Sequence, residues 1–588
     1  MVIERHEVKK EDKWDVEALY ASISDWESEF KAISDKGWGK ILQYKGKLGE
    51  NLGAALRERF SLDETIDKLV VYGHLRYDED LTNAEHKSTY DRAMSLYFDF
   101  SANVSWFEPE ILQLPDEVIE SALNDNSLSD YHFFLSSLIK LKPHTLSPKE
   151  EKILALSAES MQTAKRTFSL LNNADFKFAP AKDENGEEHE ITHARYSTIL
   201  HSKDRTLRIN AFENLQGRYR EYGNTIAELL AGHVNTHICE AKARGYKSSL
   251  DAALFPKNID TEVYRQLIKT AHENIEPLHR YMAMRKEKLG LDKLRLCDLY
   301  VPLVDEVDLH YTYDESIDMV VDSLKCLGPE YQRQLKAGLT TDRWVDRYEN
   351  EGKRSGAYSS GCYGYMPYIL MNYQGQINDV MTLTHEAGHS MHSFYSQKNQ
   401  PYPKAQYTIF VAEVASTFHE KLLFHYLMER LGEKEKQFLI NYRLDSIRAT
   451  FFRQALFAEF ELKIHELAEA GKPLTQELLS EIYGELNRVY YGPHLEIDEY
   501  LKAEWMRIPH FYSNFYVYQY ATGISAATAL VDRVTKEGAK EDYLRFISSG
   551  GSDYPLNELR DAGIDMTDEK PIKSLIADFE ELLDAFRN

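Results

Sequence analysis

"LTHEAGHSMH", residues 383–392, sets His385, Glu386, His389 and His392 within a single short stretch. The surrounding "NDVMTLTHEAGHSMHSFYSQ" offers an N-cap at Asn378, followed by Asp379, and meets no proline before Pro401, so the spacing predicts a helix. Positions i and i+4 share one helical face. His385 and His389 therefore offer two imidazole nitrogens to one metal ion. Glu386 leans over the same place without occupying a ligand position, as a general base acting on water would. With 21 histidines in 588 residues, chance supplies about 0.07 matches of this kind, so a third ligand has to decide the reading.

His392 is the nearest candidate, but 385, 389 and 392 form an almost straight stripe along one helix, and three donors in a row converge poorly on a tetrahedral ion. A packing or supporting role suits His392 better. The pattern with Gly at 392 and His at 395 is excluded, because the chain has His392 and Tyr395. "YTIFVAEVASTFHEKLLFHYLMERLG" supplies a better donor. Glu413 stands there between Val411, Ala412, Val414 and Ala415, with Ser416, Thr417 and Glu420 on its own face. A carboxylate in such surroundings needs a compensating positive charge, which a metal ion provides.

The rest of the chain fits an enclosed site. At 588 residues it is too long for one ordinary core and predicts two or more lobes. Composition is 43% apolar and 28% charged, and no apolar run approaches the roughly 18 residues of a membrane span. The start, "MVIERHEVKKEDKW", has no apolar signal core and reads as cytoplasmic. Cys239, Cys297, Cys326 and Cys362 lie far apart, which argues against a disulfide framework and against a thiolate metal site. A formal charge of -25 without a long basic stripe opposes nucleic-acid binding.

Most of the sequence has helical periodicity, with Asp15 as the N-cap candidate of "DVEALYASISDWESEFKAI". Asn185-Gly186, between two β-prone runs, predicts a hairpin, and a boundary is drawn just after it, dividing residues 1–190 from 191–588. "GYMPYILMNYQG", bounded by Gly364 and Gly375 with Pro367 near its beginning, predicts an edge strand directly before the histidine helix. An edge strand there would pair with a peptide backbone.

These segments resemble the M3 family of zinc oligopeptidases, more specifically its oligoendopeptidase F branch. The likeness rests on "MTLTHEAGHSMHS", "FVAEVASTFHE" and "IPHFYSNFYVYQYATG", with "AKARGYKSS", "KRSGAYSSG" and "PYILMNYQG" upstream, and spans roughly residues 190 to 588. It implies a mainly α, two-lobed metallopeptidase with a deep substrate channel and a small β element beside the active-site helix. It also implies one zinc ion per chain on His385, His389 and Glu413, with Glu386 as base. Glu413 fits the long spacing of this family, whereas other HExxH peptidases would use position 408 or 409, where the chain has Thr408 and Ile409. His510, Tyr516 and Tyr520 are the residues of the C-terminal segment that best match the donors lining the cleft opposite the zinc in that family. The implied activity is hydrolysis of internal bonds of short, unstructured peptides. A catalytically inactive peptide-binding protein and an exopeptidase are the alternatives; the full set of residues speaks against the first, and the lack of a charged clamp for a peptide terminus against the second. Imidazole and carboxylate ligands suit cobalt or manganese as well as zinc.

Overall fold

The computed structural model describes residues 3–304, 307 and 309–587. Helices form where the apolar residues recur at three-to-four spacing, as in Leu48–Glu79, Ala84–Val104 and Gly223–Ala243. The chain is therefore mainly helical, as its periodicity predicts. The first helical pattern is broken, however. Asp15 stands at the start of only a 3-10 turn, Val16–Ala18, with no capping hydrogen bond from its side chain, and the α-helix Ile23–Leu42 starts afresh where the Ser22 side chain accepts from the Asp25 N–H.

Five short strands complete the described secondary structure. Ala181–Lys182 (β1) and Glu188–His189 (β2) pair antiparallel around Asn185 and Gly186, whose φ of +84° is the left-handed conformation that a tight turn of this kind requires. Val345–Asp346 (β3), Tyr358–Ser360 (β4) and Tyr368–Leu370 (β5) form a second sheet in the order β3-β5-β4. This corrects the edge-strand expectation for "PYILMNY". β5 is the central strand, parallel to β3 and antiparallel to β4, and all three of its residues are buried. Its run of apolar side chains fills both faces, so the pattern marks burial on two sides and not an exposed edge. The edges are β3 and β4, the latter in "KRSGAYSSG". The loop into it is tied down by Lys353, whose buried ammonium meets Asp346 at 2.7 Å and donates to the carbonyls of Tyr348 and Met371.

Two compact units divide the described chain. The first comprises Met1–Pro143, Leu309–Glu429 and Leu530–Ile564, the second His144–Asp308, Arg430–Ala529 and Asp565–Asn588. The chain passes back and forth between them, so compactness does not divide it at residue 190, and the hairpin lies inside the second unit. In the first unit the helix Ile377–Asn399, called the motif helix below, packs on Ile409–Met428, called the glutamate helix, on Lys540–Ser549 and on β4. In the second, the 3-10 segment Leu501–Arg507 is anchored by fully buried Glu504, which accepts from Arg453, Arg507 and the Tyr483 hydroxyl at 2.7–2.9 Å. These charges draw the Glu504 pKa down to about 2, against the opposing effect of burial.

Candidate active site

The motif helix begins two residues earlier than its sequence suggests. Gln376 is the N-cap, and the Asp379 carboxylate accepts the N–H groups of Gln374 and Gln376 at 2.9 Å. Its buried face includes Val380, Leu383, Thr384, Ala387, Gly388 and Met391. Gly388 decides how closely the glutamate helix crosses. A Cβ built there would stand 2.6 Å from the Ser416 Cα and 2.7 Å from the Ala415 carbonyl oxygen, so only glycine permits the approach. That approach brings Glu413 to the two histidines.

The Nε2 atoms of His385 and His389 are 3.2 Å apart, and Glu413 Oε2 lies 3.4 Å from the first and 3.5 Å from the second. A tetrahedral ion with bonds of about 2.0–2.1 Å needs donor atoms about 3.3 Å apart, so the three atoms form one face of such a tetrahedron and leave its fourth corner open. The residues thus fit a divalent metal ion. The Glu413 side chain is 42% exposed, turned toward the imidazoles and held by the Ser416 hydroxyl at 3.0 Å. What singles it out is this aim, not the burial that its apolar neighbours suggest. Among the described residues one other group of donors lies close together, Asp183, Glu187 and His189 of the hairpin, but Asp183 is already engaged by the Asn185 and Glu187 N–H groups and by His189.

The supporting contacts include residues to which the sequence attached no role. Glu420 Oε1 sits 2.5 Å from His385 Nδ1, which fixes the proton there and turns Nε2 toward the other donors. Its place seven residues after Glu413, on the same face, is the signal that would have found it. Burial lowers the pKa of His385, but Glu420, Glu386 and Glu413 overcome this and raise it to about 9. His389 is pushed down to about 4, by burial and then by His385. Glu386 is 8% exposed. Burial raises its pKa, His385 opposes, Glu413 adds to the rise, and the Ser359 N–H of β4 donates to the carboxylate. The Ser359 hydroxyl also meets that of Ser390 on the motif helix at 2.8 Å. His392 is fully enclosed and stacks on Tyr407 with ring centres 3.7 Å apart, so it packs and does not join the donor triangle.

His510, Tyr516 and Tyr520 lie in the second unit and gather there. Their ring centres are 6.4 Å (His510–Tyr516), 5.9 Å (His510–Tyr520) and 5.4 Å (Tyr516–Tyr520) apart. All three are half-buried, whereas Tyr512 and Tyr518 are core residues, Tyr512 stacked on Phe168. Burial, and next the charge of Arg453, lower the pKa of His510. The turn that carries Tyr516 has Phe515 in the left-handed region, φ +44°, with its N–H donating to fully buried Glu461 at 2.7 Å.

A mainly helical chain with an HExxH helix, a carboxylate donor on the next helix and an open fourth position is built as a metallopeptidase. Comparison with known proteins agrees. Residues 198–577 match the model of peptidase family M3, and residues 110–178 that of an N-terminal oligopeptidase F region. Oligopeptidase PepF of Bacillus subtilis is 44% identical, the match covering 99% of this chain and 88% of that protein. Group B oligopeptidase PepB of Streptococcus agalactiae is 37% identical over 99% and 98% of the two chains. Among solved structures, one from Chlamydophila abortus superposes with a TM-score of 0.95 at 40% identity, covering 99% of both chains. Oligoendopeptidase-F from Enterococcus faecium gives 0.74 at 34%, covering 96% and 98%. The chain belongs to peptidase family M3. It is a metallo-endopeptidase of the oligoendopeptidase F type, and its membership implies a metal cofactor. No described helix is long and apolar enough to cross a membrane.

Proposed function

We propose that the chain is a zinc-dependent endopeptidase cutting internal bonds of short, unstructured peptides, with one ion per chain on His385, His389 and Glu413. The observation that carries this reading is the donor triangle with edges of 3.2–3.5 Å, beside which Glu386 projects from the same helix. Zinc, when bound, lowers the pKa of a water toward neutrality and polarises the peptide carbonyl. Glu386 accepts the proton of the attacking water and delivers it to the departing amide nitrogen. The Ser359 N–H keeps the carboxylate oriented.

His510, Tyr516 and Tyr520 are assigned as donors to the oxygen that becomes negative. This assignment rests on the family resemblance and on the gathering of the three rings. β4 is paired on one side only, and apart from the Ser359 N–H that Glu386 takes, its outer edge is assigned to the peptide backbone, which gives affinity with little regard to side chains. Selection for flexible peptides and a deep channel are part of the same reading. So is action in the cytoplasm, which the four free cysteines suit.

The test is a digest of one flexible peptide, free or with its N-terminus acetylated and C-terminus amidated, beside a stable globular protein, with metal content measured on the enzyme. Similar cleavage of both peptides at the same internal bonds, loss of activity with the metal, return with zinc and an intact globular protein are expected. Dependence on a free terminus, or activity indifferent to metal removal, would overturn the proposal.

A further inference from the structure

We infer that a cavity of about 300 Å³ beside the end of β4 is a subsite for one large uncharged side chain of the peptide, preferably aromatic. The inference rests on the proposed function and names what that site selects. Its walls come from the elements that carry the donors. Ser360 ends β4 and Gly361 follows it; Ser393 stands one turn beyond His389 on the motif helix; Ala412 immediately precedes Glu413. A peptide lying along β4 points successive side chains to opposite faces, and one that continues past Ser360 delivers a side chain here.

The lining sets the chemistry. Tyr363 and Tyr402 meet edge to face at 5.6 Å, and Tyr407 is held by its stack on His392 and by the Ser393 hydroxyl at 2.9 Å. Among the described residues, no charged one lines the cavity. A charged side chain entering it would shed water without gaining a counter-ion, whereas an aromatic ring finds rigid rings to pack on. Ile409, also in the lining, is 60% exposed although large and apolar. An apolar side chain of the substrate seated in the cavity would cover part of it. Asp63, Asp67 and Glu64 act electrostatically on Tyr402 against a single opposing Arg59, which disfavours an acidic side chain further than a basic one.

The experiment uses the metal-loaded enzyme and capped peptides that share one scissile bond, each carrying Phe, Ala, Lys or Glu at one position within three residues of it. At one position, on one side of the bond, Phe should exceed Ala by about ten-fold or more in kcat/KM, with Glu last. Gly361→Leu should fill the cavity. A Cβ at Gly361 meets nothing closer than 3.5 Å, so the backbone accepts it. The Phe:Ala ratio should then fall toward one at that position alone. Ile409→Ala, at an exposed position, should lower the same ratio several-fold and serves if the leucine variant does not fold. Absence of any such position, or a ratio unchanged in the folded variants, overturns the subsite and leaves the proposed function standing. A metal-loaded parent enzyme that cuts none of the peptides overturns the proposed function itself.

Discussion

His385 and His389 are fixed by a regular helix whose crossing with its neighbour leaves no room for a side chain at Gly388. His510, Tyr516 and Tyr520 are carried by a segment in which Phe515 is forced to φ +44° and held there by a buried carboxyl group. In the first region the backbone period itself places the donors, and one glycine sets their distance from Glu413. In the second, placement depends on contacts made far along the chain. The first should therefore fail when chemistry or crossing is altered, and the second when its anchor is.

Replacing Glu386 by Gln should have the largest effect. The amide cannot accept a proton, so kcat/KM should fall by about 10²–10⁴-fold with metal content unchanged. His389→Ala should instead lose the metal. Near-normal turnover in a metal-verified Glu386→Gln enzyme would remove Glu386 from the role of base.

Next comes the crossing. In Gly388→Ala the new Cβ has to push backbone, not a flexible side chain, and overpacking of this kind costs about 1–3 kcal/mol. The two helices should move apart and Glu413 with them. Lower thermal stability together with faster metal loss to a chelator is expected. A variant that keeps both would show that the donors do not depend on this approach.

A milder set ranks the carboxylates against His392. Glu413→Ala should release metal most readily. Glu420→Ala should weaken binding by roughly 10- to 100-fold, as loss of a group orienting a ligand does. His392→Ala should lower the melting temperature by losing the stack on Tyr407 while leaving metal affinity close to the parent's. Chelator competition on the three proteins gives the order, and any exchange between Glu413 and His392 breaks the reading of the triangle.

The regular parts were legible because helix period maps spacing onto space. HExxH, the N-cap region and the hairpin at Asn185-Gly186 each follow from local rules. Glu413 was found by its type and surroundings, but its 42% exposed side chain shows that burial was the wrong reason. β5 was misread because an apolar run of three or four residues looks alike at an edge and at a centre; only the pairing partners Val345 and Tyr358, distant in sequence, decide. The contact of Ser359 with Glu386 was invisible for the same reason. Membership of the two compact units was likewise hidden, since each is assembled from three stretches of chain.

The smallest effect belongs to the anchor of the aromatic segment. Burial raises the pKa of Glu461 well above the ordinary glutamate value, opposed by the Phe515 N–H. In the unfolded chain Glu461 loses its proton near the ordinary value, whereas in the folded protein it keeps it to higher pH. The folded state thus binds the extra proton, and stability falls as pH rises from the ordinary glutamate range toward the folded value. Gln has no proton to lose. Its carbonyl oxygen can still accept from Phe515, and its amide nitrogen replaces Oε2, which has no hydrogen-bond partner among the described residues. Glu461→Gln should therefore match the parent in acid and become the more stable of the two as pH rises through neutrality, by a few degrees at most, with kcat/KM nearly unchanged. Glu461→Ala leaves the Phe515 N–H without an acceptor and should cost about 1–3 kcal/mol in acid, a deficit that narrows against the parent as pH rises. Melting temperatures of the three proteins across pH 5–8 test this. If the Gln variant loses ground to the parent as pH rises, Glu461 is ionised in the folded protein, and the turn is held by charge and not by a neutral carboxyl group.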